Sequence, residues 1–240
     1  MILFMTSSPC VIGADRAILS PANGFIKNFR RALPPRPRCL FICSNPEDTR
    51  EAENFGRDFA AAFQEAGIEV SRYDVLDGRN MDDAQLLIWQ SDLIVLSGGH
   101  VPTQNLFFQA LGLKDLLANY MGVVLGISAG SMNCARRVYA QPEEPGESRA
   151  DFRRFWPGLC LTEINILPHY QQVKDNLLNG KRLYEDVTFA DSMGEAFISL
   201  VDGSYIVVDR KGTTMFGEAY AISDGVRVQL SVEDDVVPLA

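Results

Sequence analysis

Histidine is nearly absent from this 240-residue chain, which has two, and tryptophan is equally scarce. Any chemistry that needs an imidazole must therefore use His100 or His169. The five cysteines, at 10, 39, 43, 134 and 160, form no CxxC pair and no zinc-ligand spacing, so no metal site is expected. Their odd number, without a recognisable secretory leader, predicts reduced, mostly buried thiols in a cytoplasmic protein. Long apolar runs are missing too. Val123-Val124-Leu125 is typical, far below the ~18 residues of a membrane span, and residues 1–6 are too few for a leader's apolar region. Basic residues are the minority, 22 Lys+Arg against 31 Asp+Glu, for a formal net charge of -9 at pH 7. Groups such as Arg30-Arg31, Arg136-Arg137 and Arg153-Arg154 are separated by apolar or acidic residues. Neither nucleic acid nor a membrane surface is expected as a partner.

What is present is a generous apolar content, 47% of positions, enough for one large α/β domain or two small ones. No repeat, linker or low-complexity segment divides the chain, so it reads as a single domain over 1–240. Leu40-Phe41-Ile42-Cys43 is a short apolar strand, followed by Phe55, Phe59, Ala62, Phe63 and Ala66 at helical spacing and by Gly67 as a stop. The pattern continues with a strand over 68–73, a helix over 81–90, a strand at Leu93-Ile94-Val95-Leu96, a helix over 104–119 and a strand over 122–127. Short apolar strands alternating with helices predict a mostly parallel sheet covered on both faces, a three-layer α/β/α sandwich. Residues 141–154 break the pattern with Glu143, Glu144, Glu147 and Asp151 beside prolines, and read as a projecting loop. Ile164-Asn165-Ile166-Leu167 resumes as a strand, with a helix over 171–178. Past Gly194, the turn signals Asp202-Gly203, Lys211-Gly212 and Asp224-Gly225 predict a short antiparallel C-terminal extension of the main sheet.

Gly126-Ile127-Ser128-Ala129-Gly130 stands where an apolar strand gives way to a helix. In a GxSxG elbow the glycines permit a tight strand-to-helix turn that lifts the serine hydroxyl clear of the sheet, with helix N–H groups behind it. The bland reading is a glycine-rich turn with an incidental serine. A serine needs a base, and both histidines follow strands, at the carboxyl edge of an open sheet. His169 is the preferred base, because it follows the nucleophile and Leu167-Pro168 directs its backbone. Ser97-Gly98-Gly99 can turn main-chain amides toward the reaction space, so Gly99 and Ala129 are read as oxyanion donors. Gly98 and His100 are read as substrate-binding, and His100 competes for the base role. The carboxylate orienting the base is assigned to Glu143 or Glu144, with Glu147, Asp151, Asp186 and Asp191 as further candidates. A solvated acidic surface is the competing reading of that loop.

These landmarks together resemble the peptidase family that contains peptidase E (aspartyl dipeptidase) and cyanophycinase, built on the class I glutamine amidotransferase-like fold. The resemblance rests on Ser97-Gly98-Gly99, Gly126-Ile127-Ser128-Ala129-Gly130-Ser131 and Leu167-Pro168-His169-Tyr170, in the family's order, from about residue 36 to about residue 225. It implies a cytoplasmic serine exopeptidase or dipeptidase with Ser128 as nucleophile, His169 as the histidine and Gly99 in the oxyanion loop. Two departures stand out. His100 occupies a place where peptidase E has asparagine, and the family's aspartate after the elbow has no clear match, Gln141-Pro142-Glu143-Glu144-Pro145 lying there instead. The amidotransferases of this fold use cysteine where this chain has Ser128, which argues against glutamine hydrolysis, although Cys134 lies nearby.

The expected reaction is hydrolysis of a short peptide through an acyl-enzyme, with no cofactor. The resemblance implies a preference for an N-terminal acidic residue and so a local cation. Arg136, Arg137, Arg149, Arg153 and Arg154 are near in sequence, and none is singled out. An esterase or amidase of a small metabolite, and a non-catalytic binding or sensor protein, are the rival readings. A homodimer is among the possible oligomeric states.

Overall fold

A computed structural model describes residues 1–149 and 151–239. Five parallel strands carry the first half of the chain: β1 (Ile2–Thr6), β2 (Arg38–Ile42), β3 (Arg72–Leu76), β4 (Leu93–Leu96) and β5 (Val123–Ile127). They lie in the order β1-β5-β4-β2-β3. Between them run α1 (Phe25–Ala32), α2 (Thr49–Glu65), α3 (Ala84–Gln90), α4 (Val101–Ala110) and α5 (Leu113–Leu117), and α6 (Ala129–Met132) follows β5. β1, β2, β4 and β5 are buried almost throughout, as near-continuous Leu, Ile, Val and Phe runs require, while the edge strand β3 buries only Leu76 fully.

One face packs on α1 and α2 through Phe4, Phe25, Phe29, Phe41, Phe59 and Phe63. The other face forms a second core with α3, α4, α5 and the second half of the chain. This is a mixed α/β fold with a central sheet and flanking helices, of the class I glutamine amidotransferase-like type.

Sequence and structure differ where local signals compete. Gly67 stops α2 as expected, but Ile68 belongs to the helix cap and not to the strand expected over 68–73: Ile68 N–H bonds Phe63 O at 2.8 Å and Gly67 N–H bonds Gln64 O at 3.0 Å, closing the helix around the left-handed Gly67. The strand therefore begins later, at Arg72. The helix expected over 104–119 starts at Val101 and breaks at Gly112, giving α4 and α5. Residues 1–6, too short for a leader, contain β1, which lies beside β5 in the sheet interior.

The second half departs further. β6 (Arg137–Tyr139) and β7 (Phe155–Pro157) form a ribbon. After β8 (Asn165–Leu167) comes α7 (Tyr170–Val173), much shorter than the helix expected over 171–178, because β9 (Leu177–Leu178) and β10 (Lys181–Arg182) turn back at Asn179-Gly180. Then follow α8 (Phe189–Asp191), β11 (Ala196–Leu200), β12 (Tyr205–Asp209), β13 (Gly212–Phe216), β14 (Ala219–Ser223), β15 (Val226–Ser231) and β16 (Val236–Leu239). Only β12, β13 and β16 extend the main sheet, antiparallel beyond β1. β8 joins β11, β14 and β15 in a separate four-stranded sheet, in which β8 and β11 run parallel. Asp202-Gly203 is consequently not a hairpin: it carries the chain from one sheet to the other.

Candidate active site

The parallel register sets the ends of β1, β5 and β4 side by side, with Met5 and Leu96 both opposite Gly126. Ser128 leaves β5 there with φ 51° and ψ −114°, a backbone region that costs a non-glycine residue free energy and here forms a sharp elbow into α6. Its amide is tied to Thr6 O and Ser7 O at 3.1 Å each, so the end of β1 holds the elbow. Ser131 Oγ strengthens the joint, accepting Thr6 N–H and donating to Thr6 O, both at 2.9 Å. At Gly130 a Cβ would lie 2.3 Å from Leu96 O, so no larger residue lets the elbow approach β4 this closely.

His169 follows β8 in the left-handed conformation, φ 57° and ψ 29°. Its Nε2 lies 2.9 Å from Ser128 Oγ and its Nδ1 lies 2.8 Å from Asp202 Oδ1. The strand register explains the meeting. Leu167 of β8 is opposite Ser199 of β11, so His169 and Asp202 leave adjacent strands at nearly the same height. An ionised carboxylate only accepts, which places the proton on Nδ1 and leaves Nε2 to accept from the serine.

Asp202 has a side chain only 1% exposed. Ser7 Oγ donates to Oδ1 at 2.6 Å, while Gln171 Nε2 and Gln172 Nε2 donate to Oδ2 at 2.7 and 2.5 Å. Burial works against the charge, but the hydrogen bonds from His169, Ser7 and Gln171 and the field of His169 outweigh it and hold the carboxyl below its ordinary pKa.

The carboxylate on His169 is thus Asp202, and the assignment of Glu143 or Glu144 to that contact is corrected. Nearness in sequence misleads here, because the acidic loop is fastened elsewhere. Glu147 Oε1 lies 2.7 Å from His100 Nε2, and Glu147 Oε2 accepts the amides of Glu143 and Glu144 at 2.8 and 3.2 Å. Partial burial opposes the charge of Glu147, yet those amides and His100 hold its pKa below the ordinary value. Three more carboxylates are also engaged apart from His169: Asp151 with Arg149, Asp186 with Arg182, and Asp191 with Arg154 and the Tyr139 hydroxyl. In the sequence Asp202 reads as a turn former. The signal that could have found it is a carboxylate just past an apolar strand, the same strand-end criterion that applies to the histidines.

His100 caps α4, with Nδ1 2.8 Å from Thr103 Oγ1, so both its ring nitrogens have protein partners. Gly98 sits next to the elbow, where a Cβ would be 3.5 Å from Ser128 Cβ. Gly99 takes φ 149°, and a Cβ there would come within 2.3 Å of Ser44 Oγ. Among the described residues, no main-chain acceptor takes the amides of Gly98, Gly99 or Ala129. Cys134 is fully buried, its Sγ 3.2 Å from Gly130 O, and burial pushes its thiol well up, which makes it unsuited to attack. A cavity of about 620 Å³ lies at the opposite end of the sheet, lined by Ile2, Trp89, Tyr120 and Val123, away from these groups.

A hydroxyl, an imidazole and a buried carboxylate in hydrogen-bonded series, on a strand-to-helix elbow, form the arrangement of a serine hydrolase. The family model described as Peptidase family S51 matches residues 3–216. The chain belongs to peptidase family S51. As an S51 member it is a serine peptidase, a hydrolase. Its fold is also that of two solved structures. A peptidase from an acI-B1 Actinobacterium superposes with a TM-score of 0.65 at 16% identity, over 99% of this chain and 96% of the other. A candidate peptidase E protein from Listeria monocytogenes EGD-e gives 0.61 at 14% identity, over 96% of this chain and 98% of the other. No curated protein matches this S51 chain by sequence. Among its described residues, no helix is long and apolar enough to cross a membrane.

Proposed function

We propose that this S51 peptidase is an exopeptidase of short peptides, working through an acyl-enzyme on Ser128. The observation that carries the reading is the pair of contacts at His169, 2.9 Å to Ser128 Oγ and 2.8 Å to Asp202 Oδ1. In the proposed mechanism His169 Nε2 takes the serine proton as Oγ attacks the scissile carbonyl. Asp202 remains charged, fixes the tautomer and stabilises the imidazolium. The amides of Gly99 and Ala129 receive the oxyanion, while Gly98 and His100 form the substrate-side rim of the glycine turn. The imidazolium then protonates the leaving amine, and water repeats the sequence on the ester. Neither Glu143 nor Glu144 has a catalytic role in this scheme.

An N-terminal Asp or Glu is the preference the family resemblance implies. Of the five arginines near the elbow in sequence, Arg136, Arg137, Arg149 and Arg154 pair with Glu163, Glu195, Asp151 and Asp191, and Arg153 stacks on Trp156. We assign none of them to substrate. The five free cysteines fit a reducing compartment, and the cytoplasm is the proposed location.

The test is labelling with a fluorophosphonate, read by intact mass and peptide mapping, followed by a dipeptide panel with acidic and neutral N-terminal residues. One adduct on Ser128 and dipeptide hydrolysis are expected. Ser128→Ala abolishes the adduct and lowers turnover by roughly 10⁶-fold with the fold retained. A folded wild-type protein that takes no adduct and cleaves no peptide overturns the reading, and hydrolysis confined to simple esters replaces it with an esterase.

A further inference from the structure

Ser7, in the segment that follows β1, lies outside every motif of the elbow and the histidine, yet it is completely buried against both. Its hydroxyl donates to Asp202 Oδ1 at 2.6 Å and accepts the main-chain N–H of His169 at 2.7 Å. Its carbonyl accepts the amide of Ser128 at 3.1 Å. One residue thus contacts all three members of the hydrogen-bonded series, and each contact uses a different capacity of the group: one donor, one hydroxyl acceptor and one carbonyl.

We propose that Ser7 is a positioning residue of the active site, holding the His169 backbone and the Asp202 carboxylate at a fixed separation so that the imidazole meets Ser128 in line. The proposal rests on the reading of Ser128, His169 and Asp202 given above. Two physical needs support it. The left-handed backbone of His169 is uncommon for a non-glycine residue and persists only where its surroundings enforce it, and Ser7 Oγ supplies the acceptor for that amide. A buried carboxylate has about four lone-pair sites to satisfy. His169 and Ser7 take the two on Oδ1, and Gln171 and Gln172 take the two on Oδ2. The contacts close a ring, Ser7 Oγ to Asp202 Oδ1 to the His169 imidazole and back through the His169 amide to Ser7 Oγ. Rotation of either side chain breaks a member of that ring.

Removing the hydroxyl leaves Asp202 and the His169 amide each short of a partner, whereas the Ser128 amide keeps its bond to the Ser7 carbonyl. The test compares the rate of Ser128 labelling by a fluorophosphonate in wild type, Ser7→Ala, Asp202→Asn and the double variant, with circular dichroism confirming the fold. Ser7→Ala is expected to slow labelling roughly 10- to 100-fold, the worth of a hydrogen bond to a charged group. It is expected to add little once Asp202 is already Asn. The low-field proton resonance of His169 Nδ1–H should shift or vanish in Ser7→Ala. Ser7→Cys, which fills the site but donates weakly, should show the same loss if the alanine variant does not fold. Labelling of Ser7→Ala or Ser7→Cys within twofold of wild type, while Asp202→Asn is strongly slowed, overturns the role of Ser7 alone. A Ser7 loss that multiplies in full onto Asp202→Asn also overturns it, because the hydroxyl would then act apart from the carboxylate. Wild-type labelling in Asp202→Asn removes the underlying series, and the proposal with it.

Discussion

At the scale of single residues, Asp202 separates two accounts of the site. Glu143 and Glu144 carry the same charge and follow the elbow closely, but both spend their amides on Glu147, and the His169 ring nitrogens bond Asp202 and Ser128 instead of either side chain. Replacing Asp202 with Asn leaves a neutral amide that can present the wrong group to Nδ1. A loss of about 10⁴-fold in turnover is expected, against less than about tenfold for Glu143→Ala or Glu144→Ala. Steady-state kinetics on one peptide substrate with all three variants is the check. The difference also shows what can be read in a sequence at this scale. Ser128 and His169 are conspicuous because each is rare in its setting, one inside GxSxG and the other one of two histidines. Asp202 is hidden among 31 acidic residues and beside a glycine, where Asp is among the commonest of turn formers. Ser7 carries no signal at all, since serines after strands are ordinary.

At the scale of elements, the elbow is a packing device as much as a catalytic one. Gly130 lies so close to β4 that a methyl group would overlap the Leu96 carbonyl. Gly130→Ala is therefore expected to destabilise the protein by about 1–3 kcal/mol or more, because backbone cannot yield as a side chain does. A urea titration would read this as a lower midpoint with an unchanged slope. The first half of the chain is legible wherever a strand is a short apolar run, as in β2, β4 and β5, or a helix keeps a 3.6-residue pattern, as with the buried Ala52, Phe59, Ala62 and Phe63 of α2; Arg72 and Asp74 give β3 no such run, and it starts four residues later than expected. The second half is not. Its strands are as short as two residues, and nothing local tells β12 to join one sheet and β14 another. That choice is made by which apolar face each strand buries, a property of the assembled core.

At the scale of the whole molecule, one behaviour follows from hydrogen bonding and one from burial. Asp202 and Glu147 both titrate lower in the folded protein than in the unfolded chain. Their contribution to stability is complete above the unfolded values of about 3.9 and 4.3, and is lost as pH falls through the lower folded values. Denaturant midpoints should hold between pH 7 and about 5 and decline below about 4. Asp202→Asn should flatten part of that decline, although less stable at neutral pH. The thiols give a second measure. Cys39, Cys43 and Cys134 are buried, and burial raises all three, Cys43 up to about 12; Cys10 is half-buried and raised to about 11, and Cys160 is exposed. Titration of the native protein with a disulfide reagent at about pH 8 should show one fast thiol, Cys160, a slower Cys10, and all five only after denaturation.

The division of the strands between two sheets has one more consequence. Ser128 leaves the main sheet, whereas His169 and Asp202 leave neighbouring strands of the other. A ribosome that has delivered the elbow has therefore produced a nucleophile with no base, and one that has delivered His169 has produced a base with no anchor. On the proposed roles, cleaving power arrives only when the turn at 202–203 docks. A chain cut before that turn keeps the serine and the histidine but lacks the carboxylate that orients the imidazole.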